Sequence, residues 1–355
     1  MAKKSGTENE SDRPSGRNAF ADQTRRRAVI FATAGPKKEL VGARPERYAH
    51  VTGPKMITTD IPEQLKRFEI PGRVTVLEGS GELPKLEITT EWSSAEIYLH
   101  GAHVTDFQKK GEPPLLFTSQ FSRFATGQAI RGGVPIIFPW FGAKEGSSAH
   151  GFARSTDWDL HEAITLPEGG ISLRFGFSGC SESATWPPFA ANYIVTVTDR
   201  LALELLITNR SADQPFSFET CLHSYFAVGD IDRVSVTGLK GVSYFDKVDH
   251  FAPKTESADA IRIGSEVDRI YFNTPGPVEI LDPSLSRRIR VEKSGSASTV
   301  VWNPWSTKAQ QIPDFGNEEY RQMLCVESGN VANNKVTLAP GRTASLKVML
   351  SSARI

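Results

Sequence analysis

The sequence predicts an all-β fold, a large antiparallel β-sandwich with few short helices. From about residue 72 onwards, apolar and polar residues alternate over short segments, as in "RVTVLEGSGELPKLEITTEW" (73–92), and turn residues separate these segments. Helical periodicity is nearly absent, and only "TESADAIRIG" (255–264) and "FGNEEYRQML" (315–324) are predicted to hold a turn or two of helix. Many strands at short spacing, without a fixed repeat, favour a sandwich over a propeller.

Two regions of the chain differ in composition. Residues 60–355 carry the strand pattern and are predicted to form one β-sandwich domain, a size that a single sandwich can reach. Residues 1–55 are polar and poor in large apolar side chains, so we expect a disordered N-terminal tail. Within it, "RRRAVIFATAG" (25–35) loosely resembles a signal peptide, but its apolar run is short and acidic residues precede it. Targeting is therefore less favoured than a dispensable tail or a start of translation at Met56.

Charge and cysteine content exclude several classes of partner. Lys plus Arg number 41 and Asp plus Glu number 41, so no net field attracts nucleic acid or an anionic membrane. No stretch approaches eighteen apolar residues, so no membrane span is predicted. Three widely spaced cysteines, Cys180, Cys221 and Cys325, argue against a disulfide framework and against a zinc site. We therefore expect a cytoplasmic, monomeric protein that recognises any anion through a few placed arginines.

One histidine stands inside an apolar, strand-forming segment, "ETCLHSYFAVGDI" (219–231). A lone histidine in such a segment is more often a satisfied core residue than a proton donor. Side chains alternate between the two faces of a strand, so Phe216 and Phe218 share one face, whereas Cys221 and His223 lie on the other. His223 is therefore on the more polar face of its strand, which in a sandwich often faces a cleft.

A glutamate occupies a similar position in "QMLCVESGN" (322–330). Alternation places Cys325 and Glu327 on one face of this strand, with no cation beside the carboxylate in the sequence. A carboxylate among apolar neighbours has a raised pKa, which suits a general base that works near neutral pH. The alternative is a structural glutamate that pairs with an arginine from elsewhere in the chain.

Two arginines lie in segments whose composition is unusual for regular secondary structure. In "AIRGGVPIIFPWFG" (129–142), two glycines directly after Arg131 permit a tight turn, and two prolines interrupt strand pairing. "HGFARSTDW" (150–158) offers His150 and Arg154 close together. A guanidinium fork suits a carboxylate or a phosphate, although a structural salt bridge is the simpler reading of each arginine taken singly.

Other sequence patterns do not predict a functional site. His100 and His103 form an H-x-x-H pair, but on a single predicted strand residues three apart point to opposite faces, so we expect no joint metal site. Motifs of nucleotide binding and of elbow-type hydrolases do not occur in a usable context. The tryptophans of "WNPW" (302–305) could stack on a sugar, but paired tryptophans in a sandwich are more often part of the core.

Six segments, taken in their order along the chain, resemble those of the hexose-6-phosphate mutarotases (glucose-6-phosphate 1-epimerases), a branch of the aldose 1-epimerase superfamily. The likeness runs from about residue 70 to the C-terminus. It implies a galactose mutarotase-like supersandwich of two large antiparallel sheets with a concave substrate face. The segments that carry it are "IRGGVPIIFPWFG", "HGFARSTDW", "HSYF", "SEVDRIY", "VVWNPW" and "CVESGNV".

The resemblance also implies roles for individual residues. His223 of "HSYF" matches the general acid of that family, and Glu327 of "CVESG" matches its general base. The implied substrate-binding residues are Arg131 and Arg154 for the phosphate, Asp268 of "VDRIY" for sugar hydroxyls, and His150 near the ring oxygen.

These residue types fit the anomerisation of a hexose 6-phosphate. One group removes the proton of the C1 hydroxyl while another protonates the ring oxygen; the ring opens, C1 rotates, and the ring closes with the roles exchanged. This chemistry needs no cofactor, metal or covalent intermediate, so none is predicted. We expect His223 and Glu327 to face one cleft, about the width of a sugar ring apart.

Three alternatives remain open at this stage. An epimerase for an unphosphorylated aldose would keep the fold and make both arginines structural. A sugar-phosphate-binding protein without catalysis would not need an acid–base pair. A glycosidase would use two carboxylates, such as Asp157 or Asp268 with Glu327, and would leave His223 without a role.

Overall fold

A computed structural model describes residues 63–355, which all belong to one unit of the chain. This part is built from antiparallel strands, with two short α-helices, α1 (Glu63–Lys66) and α2 (Trp305–Ala309). The first strands are β1 (Val74–Glu78), β2 (Pro84–Thr89), β3 (Ser93–Tyr98), β4 (His103–Lys109), β5 (Ile136–Ile137), β6 (Trp158–Thr165), β7 (Ile171–Phe177), β8 (Phe189–Val197), β9 (Leu201–Asn209), β10 (Phe216–Phe218), β11 (Thr220–Leu222) and β12 (Tyr225–Ala227). The remaining strands are β13 (Ser235–Thr237), β14 (Ser243–Asp246), β15 (Ala252–Thr255), β16 (Ala260–Arg262), β17 (Val267–Phe272), β18 (Val278–Asp282), β19 (Arg287–Ser294), β20 (Ser298–Asn303), β21 (Met323–Asn330), β22 (Val336–Leu338) and β23 (Thr343–Arg354).

Two large sheets dominate the fold. A nine-stranded sheet has the order β16-β13-β18-β19-β23-β9-β8-β7-β6, and an eight-stranded sheet has the order β15-β14-β17-β20-β21-β11-β5, with β12 also paired to β21. Strands β1 to β4 form a separate four-stranded sheet, and β10 pairs with β22. Side chains of both large sheets belong to one continuous apolar core. The predicted all-β antiparallel fold is confirmed.

The burial pattern shows how the sheets pack. Along β8 and β9 every second residue is buried, because alternate side chains point into the core and the others towards solvent. In β20 and β21 every residue is buried, so these central strands of the eight-stranded sheet are covered on both faces. A polar side chain on β21 is therefore held in a largely dehydrated environment.

Local predictions had mixed outcomes. The segment 315–324 contains a 3-10 turn at Glu319–Gln322, which confirms a turn of helix there. The helix expected in 255–264 is wrong, because β15 ends at Thr255, β16 begins at Ala260, and the buried Glu256 carboxylate accepts a hydrogen bond from the backbone of Ala258.

The single strand expected through His100 and His103 is also wrong. Strand β3 ends at Tyr98, the chain turns through Gly101 and Ala102 with positive φ, and β4 begins at His103. Each histidine has its own hydrogen-bonding partners: His100 contacts Asp157 and the Gln128 carbonyl, and His103 contacts the Gly132 carbonyl.

Some predictions lie outside the described residues. These are the disordered tail at 1–55, the signal-like segment at 25–35, the alternative start at Met56 and the domain boundary at residue 60. Across residues 63–355, no helix has the length and apolar character needed to span a membrane.

Candidate active site

A cleft of about 240 Å³ opens against the eight-stranded sheet and gathers most of the sequence-predicted site residues. It is polar, with cationic, anionic and aromatic side chains facing each other. The residues that line it are Arg131, Phe141, Gly142, Ala143, His150, His223, Tyr225, Lys247, Asp268, Trp302, Lys308 and Glu327.

His223 lies where the strand beside β21 is interrupted. Strand β11 ends at Leu222 and β12 begins at Tyr225, and both pair with β21. The backbone N–H of His223 donates to the Pro135 carbonyl instead of to β21, and the imidazole stacks on the Tyr225 ring with centroids 4.7 Å apart. His223 is only 6% exposed and faces the cleft, so strand alternation placed it on the correct side.

Glu327 lies in the middle of β21 and is 1% exposed. Its Oε1 lies 3.1 Å from Nε2 of His223, and the Cys221 thiol donates to its Oε2 across 3.6 Å. The two candidate catalytic groups therefore face one cleft, as predicted, but the expected separation of a sugar ring's width is wrong. They are in direct contact because β11 and β21 are neighbouring strands.

Burial sets the protonation of this pair. It lowers the pKa of His223 well below 6.5, and the charges of His150, Arg154 and Arg131 lower it further. Burial raises the pKa of Glu327 well above 4.5, and the Asp268 carboxylate raises it further. The pair is therefore most stable with one proton in total, and in the free protein these shifts favour that proton on Glu327, with His223 neutral.

Arg131 is held at one side of the cleft by a constrained turn. Gly132 and Gly133 both have positive φ, and a Cβ on Gly132 would lie 2.4 Å from the Phe117 carbonyl oxygen, so the predicted need for glycine is confirmed. The Arg131 guanidinium donates to the Tyr225 hydroxyl at 3.2 Å and to Asp314 Oδ1 at 3.1 Å.

Arg154 lies in the 3-10 turn Ala153–Ser155 and is half-buried. It is not among the residues that line the cleft, but burial and the charge of Arg131 lower its pKa to about 10. Its Nη2 donates to the Ala149 carbonyl at 2.8 Å. Within residues 63–355, no carboxylate lies within 4.0 Å of Arg154.

His150 and Asp268 complete the set of predicted residues. The His150 ring lies 5.7 Å from that of His223, and Nδ1 of His150 accepts a hydrogen bond from the backbone N–H of Gly142 at 3.3 Å. Asp268 lies on β17 with its Oδ2 2.7 Å from Nζ of Lys247. Burial raises the pKa of Asp268, and Lys247 opposes that rise.

Several residues of the site were not predicted. Lys247, Lys308 and Asp314 lie in segments without a local pattern, and only the tertiary fold brings them to the cleft. Trp302 belongs to the buried core, as expected for a paired tryptophan, and it also lines the cleft and packs edge-on against His223; Trp305 is partly buried and packs on Tyr320.

One cluster could in principle hold a metal ion. Ligand atoms of His223, Cys325 and Glu327 all lie within 4.8 Å of one another. Burial raises the pKa of the Cys325 thiol, which opposes the thiolate that a metal would need. Arg131 and Lys247 line the same cleft and repel a cation. The expectation of a metal-free site stays a prediction.

Fold and site together define a class of protein. The fold is similar to that of a galactose mutarotase-like protein from Clostridium acetobutylicum, with a TM-score of 0.62 over 79% of this chain and 98% of the other, at 15% identity. A structure described as a provisional mutarotase from Salmonella typhimurium is 28% identical, with a TM-score of 0.72 over 79% of this chain and 97% of the other. The protein thus has the galactose mutarotase-like fold, with a histidine–carboxylate pair in its cleft.

The family follows from the sequence matches. A family model described as aldose 1-epimerase matches residues 84–351. A protein from Cenchrus ciliaris, provisionally named glucose-6-phosphate 1-epimerase, is 36% identical over 267 residues, which is 73% of this chain and 81% of that protein. The chain belongs to the aldose 1-epimerase family and is an isomerase.

Proposed function

We propose that this protein interconverts the α and β anomers of hexose 6-phosphates, with glucose 6-phosphate as the reference substrate. The observation that carries the proposal is that Arg131 lines the same cleft as the pair formed by His223 and Glu327, and that the charges of Arg131 and Arg154 both act on His223. The Asp314 carboxylate contacts Arg131, and within residues 63–355 no carboxylate contacts Arg154, so an excess of positive charge remains for an anion. The proposal also agrees with the name of the Cenchrus ciliaris relative.

The pair of His223 and Glu327 would move protons as follows. The proton that the pair shares protonates the ring oxygen from His223, while the Glu327 carboxylate accepts the proton of the C1 hydroxyl. The C1–O5 bond breaks, C1 becomes an aldehyde, and after rotation about C1–C2 the reverse transfers close the ring. Because the two groups touch in the free protein, the proton of Glu327 can pass directly to His223 before the ring opens, and the reverse transfers restore the pair for another turnover.

Substrate preference tests the proposal. We expect kcat/KM for glucose 6-phosphate to exceed that for glucose and galactose by on the order of 10² or more, since each charge-assisted contact to phosphate contributes about 1.5–3 kcal/mol. Exchange NMR of the anomeric protons measures all three rates above the spontaneous background. Equal or faster exchange of the free sugars would contradict the phosphate assignment.

An unphosphorylated aldose is the second candidate substrate. The observation in its favour is that Arg131 already pairs with Asp314 and Tyr225, as a structural arginine would. The same measurement distinguishes the two substrates, and binding without exchange on any sugar would support a non-catalytic binding protein instead.

The contact between His223 and Glu327 should determine how kcat depends on pH. Both arrangements of the shared proton bind the same number of protons, so we expect kcat to be flat around neutral pH. Addition of a second proton stops the reaction, and because the pKa of His223 is lowered, kcat should fall in acid only below pH 6.5.

Measurement of kcat at saturating substrate from pH 5 to 9 checks this expectation. We use kcat rather than kcat/KM because kcat/KM also reports the titration of the phosphate group of the free substrate, whereas kcat does not. A fall in kcat that is half complete at or above pH 6.5 would show that His223 titrates like an exposed imidazole.

A further inference from the structure

Lys247 is a cation of the cleft that the proposed reaction has not yet used. It directly follows β14, and its backbone N–H donates to the Asp268 carbonyl, so the hairpin of β14 and β15 is fixed against β17 at this point. Its side chain is 24% exposed, lines the cleft, and lies 5.5 Å above the Phe141 ring. The ammonium group therefore points into the space that a ligand would fill.

The Lys247 ammonium and the Asp268 carboxylate both retain hydrogen-bonding capacity. Nζ of Lys247 lies 2.7 Å from Oδ2 of Asp268. An ammonium has three donors and a carboxylate about four acceptor positions, so one mutual contact leaves most of both sets unused. A sugar hydroxyl is at once a donor and an acceptor, and it can contact both groups.

The charge of Lys247 also acts on the neighbouring carboxylates. Burial raises the pKa of Asp268 and of Glu327, the Asp268 carboxylate raises that of Glu327 further, and Lys247 opposes the rise in both pKa values. The ammonium thus favours an ionised Asp268, which is the form that accepts hydrogen bonds only. A donor and an acceptor fixed side by side form a site for a polyol rather than for an apolar group.

We propose that Lys247 is a substrate-binding residue that, with Asp268, holds one hydroxyl or one vicinal pair of hydroxyls of the sugar ring. Lys247 donates to a hydroxyl oxygen, and Asp268 accepts the hydroxyl proton. The pair thereby selects sugars that carry a hydroxyl at that ring carbon. This inference rests on the proposed function, because the ligand is taken to be a hexose 6-phosphate.

A comparison of variants with deoxy sugars tests the inference. The enzymes are wild type, Lys247→Met and Asp268→Asn, and the substrates are glucose 6-phosphate and its 2-, 3- and 4-deoxy analogues. Lys254→Met is the matched control, since Lys254 pairs with Asp246 and Asp249 on the same hairpin and does not line the cleft.

We expect Lys247→Met to lower kcat/KM for glucose 6-phosphate about 10- to 100-fold, which is the loss of one hydrogen bond to a charged group. On one of the deoxy analogues, wild type and Lys247→Met should have nearly equal kcat/KM, because the contact is already missing. Asp268→Asn should lose discrimination at the same ring carbon, and Lys254→Met should retain the wild-type pattern.

Two outcomes would overturn the role of Lys247. One is an unchanged kcat/KM of Lys247→Met on glucose 6-phosphate, and the other is an equal loss on all four substrates, which would indicate an effect of charge alone. If Lys247→Met does not fold, as judged by circular dichroism, the same comparison with Lys247→Gln decides. A wild-type enzyme that exchanges none of the four sugars would contradict the proposed function, and this result is distinct from a failure of Lys247 alone.

Discussion

Substitution of Glu327 by Gln is expected to lower the mutarotation rate by on the order of 10² or more. The amide is nearly isosteric but cannot accept the proton of the C1 hydroxyl, and it cannot exchange a proton with His223 across the 3.1 Å contact. Because the change removes a buried group whose pKa is already raised, it should not destabilise the fold strongly. The loss should appear in kcat, with little change in binding of the sugar.

The control for Glu327→Gln is the affinity for 1-deoxyglucose 6-phosphate, which lacks the reacting hydroxyl. Titration calorimetry should give similar dissociation constants for the variant and the wild type. A variant that keeps the full exchange rate would show that Glu327 is not the base. A variant that loses both rate and affinity would mean that Glu327 holds the sugar rather than moves a proton.

The second large effect is expected at Arg154. Its guanidinium is affected by the charge of Arg131 and has no carboxylate partner within the described part of the chain, so its replacement removes a cation that a phosphate would otherwise neutralise. Arg154→Ala should lower kcat/KM for glucose 6-phosphate on the order of 10²-fold, because a charge-assisted contact contributes about 1.5–3 kcal/mol. The slow rate on free glucose should change little.

Arg154→Lys is the matched variant for this prediction. It keeps the charge and loses the planar fork, so its rate on glucose 6-phosphate should lie between those of Arg154→Ala and the wild type. An equal loss on glucose and on glucose 6-phosphate in Arg154→Ala would show that the residue has a structural role. The affinity for inorganic phosphate, measured by competition, gives an independent readout.

Strand alternation is the reason that much of the site could be predicted from the sequence. It is a local property with a period of two, so it predicts that His223 is on the face towards the cleft and that Cys325 shares a face with Glu327. The fold class followed in the same way, from many short alternating segments. The resemblance added Asp268, which shows no distinctive local pattern of its own.

Features that depend on tertiary structure could not be predicted. The 3.1 Å contact of His223 with Glu327 arises because β11 and β21 are neighbouring strands, a pairing that no periodicity indicates. Lys247 and Asp314 reach the site from a hairpin and a loop whose sequences have no pattern. The hairpin at His100 and His103 was missed although Gly101 lies between them, because the alternation of apolar residues outweighed the turn signal.

The proposed general base and the cations in and near the cleft are carried by different kinds of structure. Glu327 lies in a strand that is buried along its whole length, whereas Arg131, Arg154 and Lys247 stand outside the regular strands. Sequence changes in loops cost a fold less than changes in a central strand. Substitutions in these loops can therefore change which sugar the cleft accepts without replacing the general base. In this architecture the catalytic group and the groups that set specificity can evolve separately.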